Sequence, residues 1–426
     1  MADVVVVGAG PSGLAAAVAL RRGGVRDVVV LDREPQAGGV PRHCDHPGFG
    51  LADLGRPLSG PGYARAWVAR AQQHGVDVRT SSTVTAWRVD DETPAAARRE
   101  PGSEALPIHV DVTSPHGRYV LDAAALVLAT GCRERPRSAR LVPGTRPEGV
   151  LTTGQLQQVV HVEHRPVGTR AVIVGAEHVS YSAVLTLAHA GCDVVAMTTQ
   201  YARPTTFVPF HLGAQLRWRF PLHTRTVVSD IRGHGRVAGV ELRDLESGTR
   251  HEVVCDTVVF TGDWIADHEL ARRHEVAWDR VSSGVVVDTG LRTDRPGVFA
   301  VGNVVHPAET ADVCSRDGSA VAGAVASWLH SRRWTTAAVR VRVQEPLTWI
   351  SPSVVSDAMS PPRGRFVLRG ESFRRAPTLV VEQGGMELWR GRVPALVPTR
   401  SLSIPARWLA SLNRTSGAPD VVVRLR

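Results

Sequence analysis

Three sets of residues in this chain have types and spacings that could do chemistry. The first is Gly8, Gly10 and Gly13 in VVVVGAGPSG, directly after the apolar run Val4 to Val7. In a strand-to-helix turn, the first glycine permits the bend, the second lets the backbone touch a pyrophosphate, and the third lets helix and strand pack closely. The phosphates would rest on the free N–H groups of a helix entered near Pro11, a residue well suited to a first helical turn. Asp32 lies nineteen residues beyond Gly13 and closes the apolar run Val28 to Leu31. A carboxylate there can accept both hydroxyls of a ribose.

The second set is a flawed copy of the first. AVIVGAEHVS again carries a strand, Ala171 to Val174, into Gly175, but Glu177 and Ser180 stand where the second and third glycines belong. A carboxylate at that place sets a side chain and a negative charge against any pyrophosphate. After the next strand, Met197-Thr198-Thr199 offers no acid for a ribose, while Arg203 leaves an opening for a 2′-phosphate. The third set is His43-Cys44-Asp45-His46. An imidazole titrating near neutrality can accept a proton as a substrate gives up a hydride. The same residues read equally well as the wall of a pocket, and a metal site built from His43, Cys44 and His46 lacks a further ligand nearby. Two more clusters stay open. His306, Glu309, Thr310 and Asp312 could wall a substrate or form a solvated loop, and Arg133, Glu134 and Arg135 could clamp an anion or lie on the surface.

The elements that position these residues follow from hydrophobic period and punctuation. A small-residue helix, Leu14 to Leu20, ends at Gly23-Gly24, and a second helix covers Tyr63 to Ala71. Alternating segments around Val84, Ile108 to Val112 and Tyr119 to Leu121 suggest a β-meander, with Asp90 to Pro107 as a surface loop between them. Ala125 to Leu128 runs into Thr130-Gly131, an echo of which is Thr261-Gly262. The second helix-and-strand unit has its helix at Ser182 to His189. Val298 to Asn303 closes on Gly302, and Ser319 to Leu329 has the composition of a packed helix. After Trp334 the texture changes to short alternating runs and prolines.

Bulk properties set limits. A chain of 426 residues, 43% hydrophobic and 21% charged, suits two or three globular domains. The formal charge of +9 comes entirely from arginine, scattered without a stripe, so it reads as compositional bias and not as a nucleic-acid surface. No stretch is long and apolar enough to span a bilayer. The five cysteines never form CxxC, which argues against a zinc ribbon, an iron–sulfur cluster or a redox disulfide. A cytoplasmic protein without a bound metal is expected.

Together the N-terminal GxGxxG, the mid-chain ATG, the interrupting second unit and the late strand ending in Gly-Asn resemble the two-dinucleotide-binding-domain flavoproteins, over roughly residues 1 to 332. GGVPRHCDHPGFGL (38 to 51), LSGPGYARAW (58 to 67), LATGCRERPR (128 to 137) and TGDWIADHEL (261 to 270) are similar to the glycerol-3-phosphate-dehydrogenase-like FAD oxidoreductases. That group is similar to the FAD subunits of opine dehydrogenases and hydrogen cyanide synthase. The resemblance implies an α/β fold with two Rossmann-like (three-layer ββα) domains. The FAD domain would be 1–147 with 263–334, the NAD(P)-type domain 148–262, and a mostly β module 335–426.

By the same resemblance, Gly8, Gly10, Pro11, Ser12 and Gly13 hold the FAD pyrophosphate, with Asp32 and Arg33 at the adenosine ribose. Gly38 and Gly39 line the approach to the phosphates, and the backbone of Val84 meets adenine. Thr130 and Gly131 close over the nucleotide, while Gly302 and Asn303 meet the ribityl region, asparagine keeping an acceptor oxygen without the charge. A helix entered near Arg316 to Ser319 aims its positive end at the flavin, and His43, Cys44 and His46 fall near the isoalloxazine. The expected activity is an FAD-dependent dehydrogenase or oxidase fed by a small organic substrate, with NAD(P)H disfavoured by Glu177. Alternatives are an NAD(P)H-dependent flavoprotein reductase and an FAD electron-relay subunit. A homo- or hetero-oligomer is expected, with a partner dehydrogenase subunit or another electron acceptor.

Overall fold

The computed structural model describes residues 1–89, 107–307, 309–335, 338–356 and 359–426. All but the last residue of the loop expected at Asp90 to Pro107 therefore lies outside the described residues. Two compact units divide the chain: residues 1–42, 48–132 and 266–426 form the first, and 43–47 with 133–265 the second.

The first unit is built on a sheet whose centre is the strand Ala2–Val7. It pairs in parallel with Val28–Leu31 on one side and with Gly117–Leu128 on the other, so that Val7 is level with both Leu31 and Leu128. Val298–Ala300 adds a further parallel strand, Ala300 level with Leu128. These strands are buried on both faces, which explains their unbroken valine, leucine and alanine runs. Their carboxyl ends finish at one level, the place where open α/β sheets bind ligands. The expected meander is present as Thr83–Val89, Ile108–Ser114 and Gly117–Leu128, antiparallel in turn. Its last strand is one piece with the buried strand that ends before the Thr130-Gly131 turn, where the sequence had suggested two.

The first helix, Pro11–Arg22, packs its alanine and leucine face on this sheet. Late in the chain the expected helix from Ser319 is replaced by two, Ala311–Ala320 and Ala322–Ser331. Alanine favours a helix, serine opposes it mildly and Gly318 more strongly, so composition alone did not fix the start.

The second unit holds a five-stranded parallel sheet in the order Val150–Thr152, Thr257–Phe260, Arg170–Val174, Asp193–Thr198, Leu222–His223. Its helix, His178–His189, leaves the strand Arg170–Val174 as the first helix leaves Ala2–Val7. A three-stranded antiparallel sheet, Thr226–His234, Arg236–Asp244 and Arg250–Val254, completes it. Within the first unit, residues beyond 338 keep a hydrophobic core of their own, centred on Phe366, Ile404 and Trp408.

Candidate functional site

The first glycine turn is as tight as its sequence requires. Gly8 has φ +108, and a Cβ there would overlap the carbonyl of Ala129. A Cβ on Gly13 would overlap the carbonyl of Gly8, so helix and strand touch through this position. Gly10 stands open, its nearest neighbour being Gly39 Cα at 3.9 Å from a Cβ placed there. Gly39 itself, at φ +64, approaches Gly10 so closely that a side chain would fall 2.8 Å from its Cα. Gly38 N–H donates to the carbonyl of Ala9 at 2.8 Å, which holds the second glycine pair over the first. The helix begins after Gly10 with no side-chain cap, so its first N–H groups face the cleft.

Asp32 is buried, and its two oxygens accept the N–H groups of Ala9 at 2.6 Å and Glu34 at 2.8 Å. Burial raises its pKa, partly offset by those two bonds. A carboxylate offers about four acceptor positions, so both oxygens retain capacity for ribose hydroxyls. Arg33 is exposed and pairs with Asp267 at 3.2 Å. Thr130 Oγ1 donates to the carbonyl of Asp267 at 2.6 Å, and Gly131 accepts the N–H of Asp267 at 2.9 Å, closing this edge of the cleft. Val84 lies in the strand Thr83–Val89, opposite Val112.

On the far side, Gly302 lies against Ser12, so that a Cβ would overlap Ser12 Oγ. Asn303 makes a two-way bond with the Glu309 backbone: Nδ2 donates to its carbonyl at 3.1 Å and Oδ1 accepts its N–H at 2.9 Å. Aspartate could not make the first of these. The helix that follows starts at Ala311 behind Thr310, and not near Arg316 as expected. Its positive end is therefore five residues earlier. Ser319 sits near its last turn, exposed, with Oγ donating to the carbonyl of Ser315. Asp312, in the first turn, accepts the N–H groups of Gly50 and Ala52 at 2.8 Å each.

These residues fit a dinucleotide. Gly8, Gly13, Gly39 and Gly302 let the backbone segments pack closely, Gly10 leaves its surroundings open, and the uncapped helix end supplies donors for phosphate. Glu309 Oε1, a buried polar atom along the same Gly302 loop, has no hydrogen-bond partner among the described residues.

In the second unit the corresponding turn is already filled. Glu177 folds back so that its carboxylate covers both Gly175 and Gly262, and a Cβ on either would run into it. Thr261 Oγ1 donates to Glu177 Oε1 at 2.6 Å, and Ser180 Oγ lies 2.7 Å from the same hydroxyl. Burial raises the pKa of Glu177 despite those bonds and the nearby charge of Arg140. A carboxylate thus stands at the N-terminus of His178–His189 where a phosphate would satisfy the dipole. Arg140 donates to the carbonyls of Thr261 and Gly262 at 2.8 Å each.

Glu134, which the sequence left as a clamp or a surface residue, is 6% exposed. Its Oε2 accepts the N–H of Gly154 at 2.8 Å, and burial pushes its pKa up to about 7. Arg203 is exposed.

His43, Cys44 and His46 all belong to the second unit, whereas every residue assigned above to the FAD cradle belongs to the first. His43 is half-buried at the end of a short 3-10 turn, and His46 Nδ1 is 3.0 Å from the carbonyl of Pro47. Cys44 is buried and donates to Gln157 Oε1 at 3.2 Å. Burial, with the charge of Glu134 adding to it, pushes its pKa to about 12, so it is a neutral thiol and not a nucleophile.

Comparison with known proteins agrees with this geometry. The model of the family described as pyridine nucleotide-disulphide oxidoreductase matches residues 2–318. An opine oxidase subunit of Rhizobium meliloti is 27% identical, covering 87% of this chain and 68% of that protein. The alpha subunit of sarcosine oxidase from Rhizobium meliloti (strain 1021) is 24% identical over 82% of this chain, which spans only 33% of that longer protein. Among solved structures, T. acidophilum thioredoxin reductase superposes with a TM-score of 0.62 at 21% identity, covering 76% of this chain and 97% of that one. The fold is the two-dinucleotide-binding-domain fold, with a β-rich C-terminal region added.

Proposed function

The chain belongs to the pyridine nucleotide-disulphide oxidoreductase family of FAD-dependent oxidoreductases, and from that membership we propose a dehydrogenase or oxidase that draws electrons from a small organic substrate without NAD(P)H. The observation that carries this reading is Glu177, whose carboxylate fills the second glycine turn from within. A nucleotide pyrophosphate entering there would have to displace a hydrogen-bonded side chain and meet its charge.

In this reading FAD lies in the first turn, with Gly8 to Gly13 at its phosphates, Asp32 at its ribose and Gly302-Asn303 at its ribityl chain. Bound FAD supplies the two-electron chemistry, while the chain's own residues bind, orient and manage protons. His43 and His46 are the residues of the first choice for taking up the substrate's proton. Cys44 enters only as a neutral wall. Opines and sarcosine are both N-substituted amino acids, so the names of the relatives put amines first among the donors to screen.

Anaerobic mixing of the FAD-loaded protein with NADH or NADPH is expected to leave the absorbance at about 450 nm unchanged, while a dye-coupled screen of amines, hydroxy acids and glycerol phosphate finds a donor. Fast bleaching by either nucleotide would replace this proposal with the NAD(P)H-dependent reductase. Changing Glu177 and Ser180 together to glycine is expected to open the turn and give measurable NADH or NADPH binding by calorimetry.

A second reading, an FAD subunit that serves a catalytic partner chain, is favoured by one surface. The helix Val208–Trp218 buries only Ala214, and Phe207, Val208, Phe210, Leu212 and Leu216 are each at least 48% exposed. Relatives named as subunits of oxidases support it further. Dye-coupled turnover by the isolated, monomeric chain would remove it.

A further inference from the structure

The helix Val208–Trp218 of the second unit turns its apolar side outward. Val208, Leu212 and Leu216 recur at every fourth residue and stack into one ridge, with Pro209 and Gly213 in the row beside it. All of these are exposed, Leu216 by 81%. Only Ala214 is buried, so the side that anchors the helix is narrower than the side that meets water. A surface helix ordinarily does the reverse, with its apolar stripe on the core and its charges outside. Phe207 and Phe210 extend the face, Phe210 lying edge-on to His178 with ring centres 4.7 Å apart. From Tyr201 to His223 the chain holds no acidic residue.

Gly213 is an independent observation. Glycine is the poorest helix former after proline, yet it stands in the middle of this helix. A Cβ placed there meets nothing within 4 Å, so no contact inside the chain requires glycine. What it provides is a notch beside the ridge, where the backbone of another helix can come close. Area bears on whether such a contact holds. Phe207, Val208, Phe210, Leu212 and Leu216 leave on the order of 600 Å² in water, the upper end for one patch on a monomer. A standard interface takes about 800 Å² from each partner, a little over half of it apolar, and this face supplies that apolar share.

We propose that a second copy of this chain covers the face, its helix Val208–Trp218 crossing the first antiparallel about a two-fold axis at Gly213. A two-fold axis lets one surface serve both copies, the Leu212 and Leu216 ridge of each seating in the Gly213 notch of the other. The antiparallel crossing also separates like charges. Arg217 and Arg219 are exposed at the C-terminal end, and in the pair they fall at opposite ends, roughly 12 to 18 Å apart along the axis and beyond the screening length of about 8 Å. A parallel pair would set all of these guanidinium groups side by side. A partner of another sequence would then dock elsewhere on the chain. The contact uses no residue of the glycine cradle or of the filled second turn, so it holds whichever donor reduces the cofactor.

Sedimentation velocity on the FAD-loaded full chain across a dilution series tests this, with a species of twice the chain's mass expected to dissociate on dilution. Leu212→Arg combined with Leu216→Arg is expected to raise the dissociation constant about a hundredfold or more, because each change counts twice on a two-fold axis. Both side chains already face water, so far-ultraviolet circular dichroism and flavin content stay as in the wild type.

Gly213→Leu separates self-pairing from the stability of the helix. Leucine is the better helix former and has free space within the chain, so a monomer melts no lower, yet the notch is filled and the dimer weakens about tenfold or more. Gly213→Cys sets a thiol on the axis and is expected to give a disulfide-linked dimer with copper phenanthroline and air, which the wild type does not. A wild-type chain that stays monomeric throughout the series, a dimer indifferent to the paired arginine change, or a Gly213→Cys chain that does not cross-link overturns the proposal.

Discussion

At Asn303, one atom decides whether the loop to Glu309 is closed. Asn303→Asp replaces the Nδ2 donor by an acceptor facing the Glu309 carbonyl, and the variant is expected to lose about 1–3 kcal/mol of stability in urea unfolding. Glu134 gives a prediction of pH dependence. Its pKa is about 7 in the folded protein against 4.5 for an ordinary glutamate, so the folded state holds the proton more tightly. The stability it contributes is complete below pH 4.5 and is lost as pH rises through 7. Relative to Glu134→Gln, the wild type is expected to weaken by on the order of 3 kcal/mol across that window, measured as paired denaturant midpoints. The sequence singled out Glu177 because it stands at the second glycine position of a strand-to-helix turn, while the direction of its side chain was settled by the fold. Glu134 gave no such signal, since an acid between two arginines looks like surface until the chain folds over it.

The turn from Ala2–Val7 into Pro11–Arg22 is the element on which cofactor binding depends. Gly13→Ala forces a Cβ into the Gly8 carbonyl, which drives helix and strand apart. It is expected to cost about 1–3 kcal/mol as overpacking and to yield protein that releases its flavin on gel filtration. This element was legible because its constraints are local: each glycine answers to a neighbour within a few residues. The helix after Gly302 was not. Its start at Ala311 is set by the Thr310 turn and by Asp312 holding the Gly50 loop, a contact between positions 262 residues apart. Sequence spacing carries no record of such a partner.

For the molecule as a whole, the C-terminal module shares the first unit with the glycine turn, meets its late helix through Arg363 and Asp317, and is stabilised by its own core. Trp408 is 1% exposed and lies 4.8 Å from the ring of Phe366. Trp408→Ala is expected to remove about 3–5 kcal/mol from unfolding of this core, followed by near-ultraviolet circular dichroism. Planar guanidinium groups bond several carbonyls at once, as Arg137 does with Val142, Pro143 and Thr145. By itself the sequence determined the α/β class, the first nucleotide turn and the damage to the second, since these rest on residues close along the chain. Tertiary structure alone decided what Glu177 covers, that Cys44 is a buried neutral thiol, and that Arg363 and His306 both meet Asp317. Those facts depend on desolvation and on charges brought together from distant segments, quantities that exist only once the chain has folded.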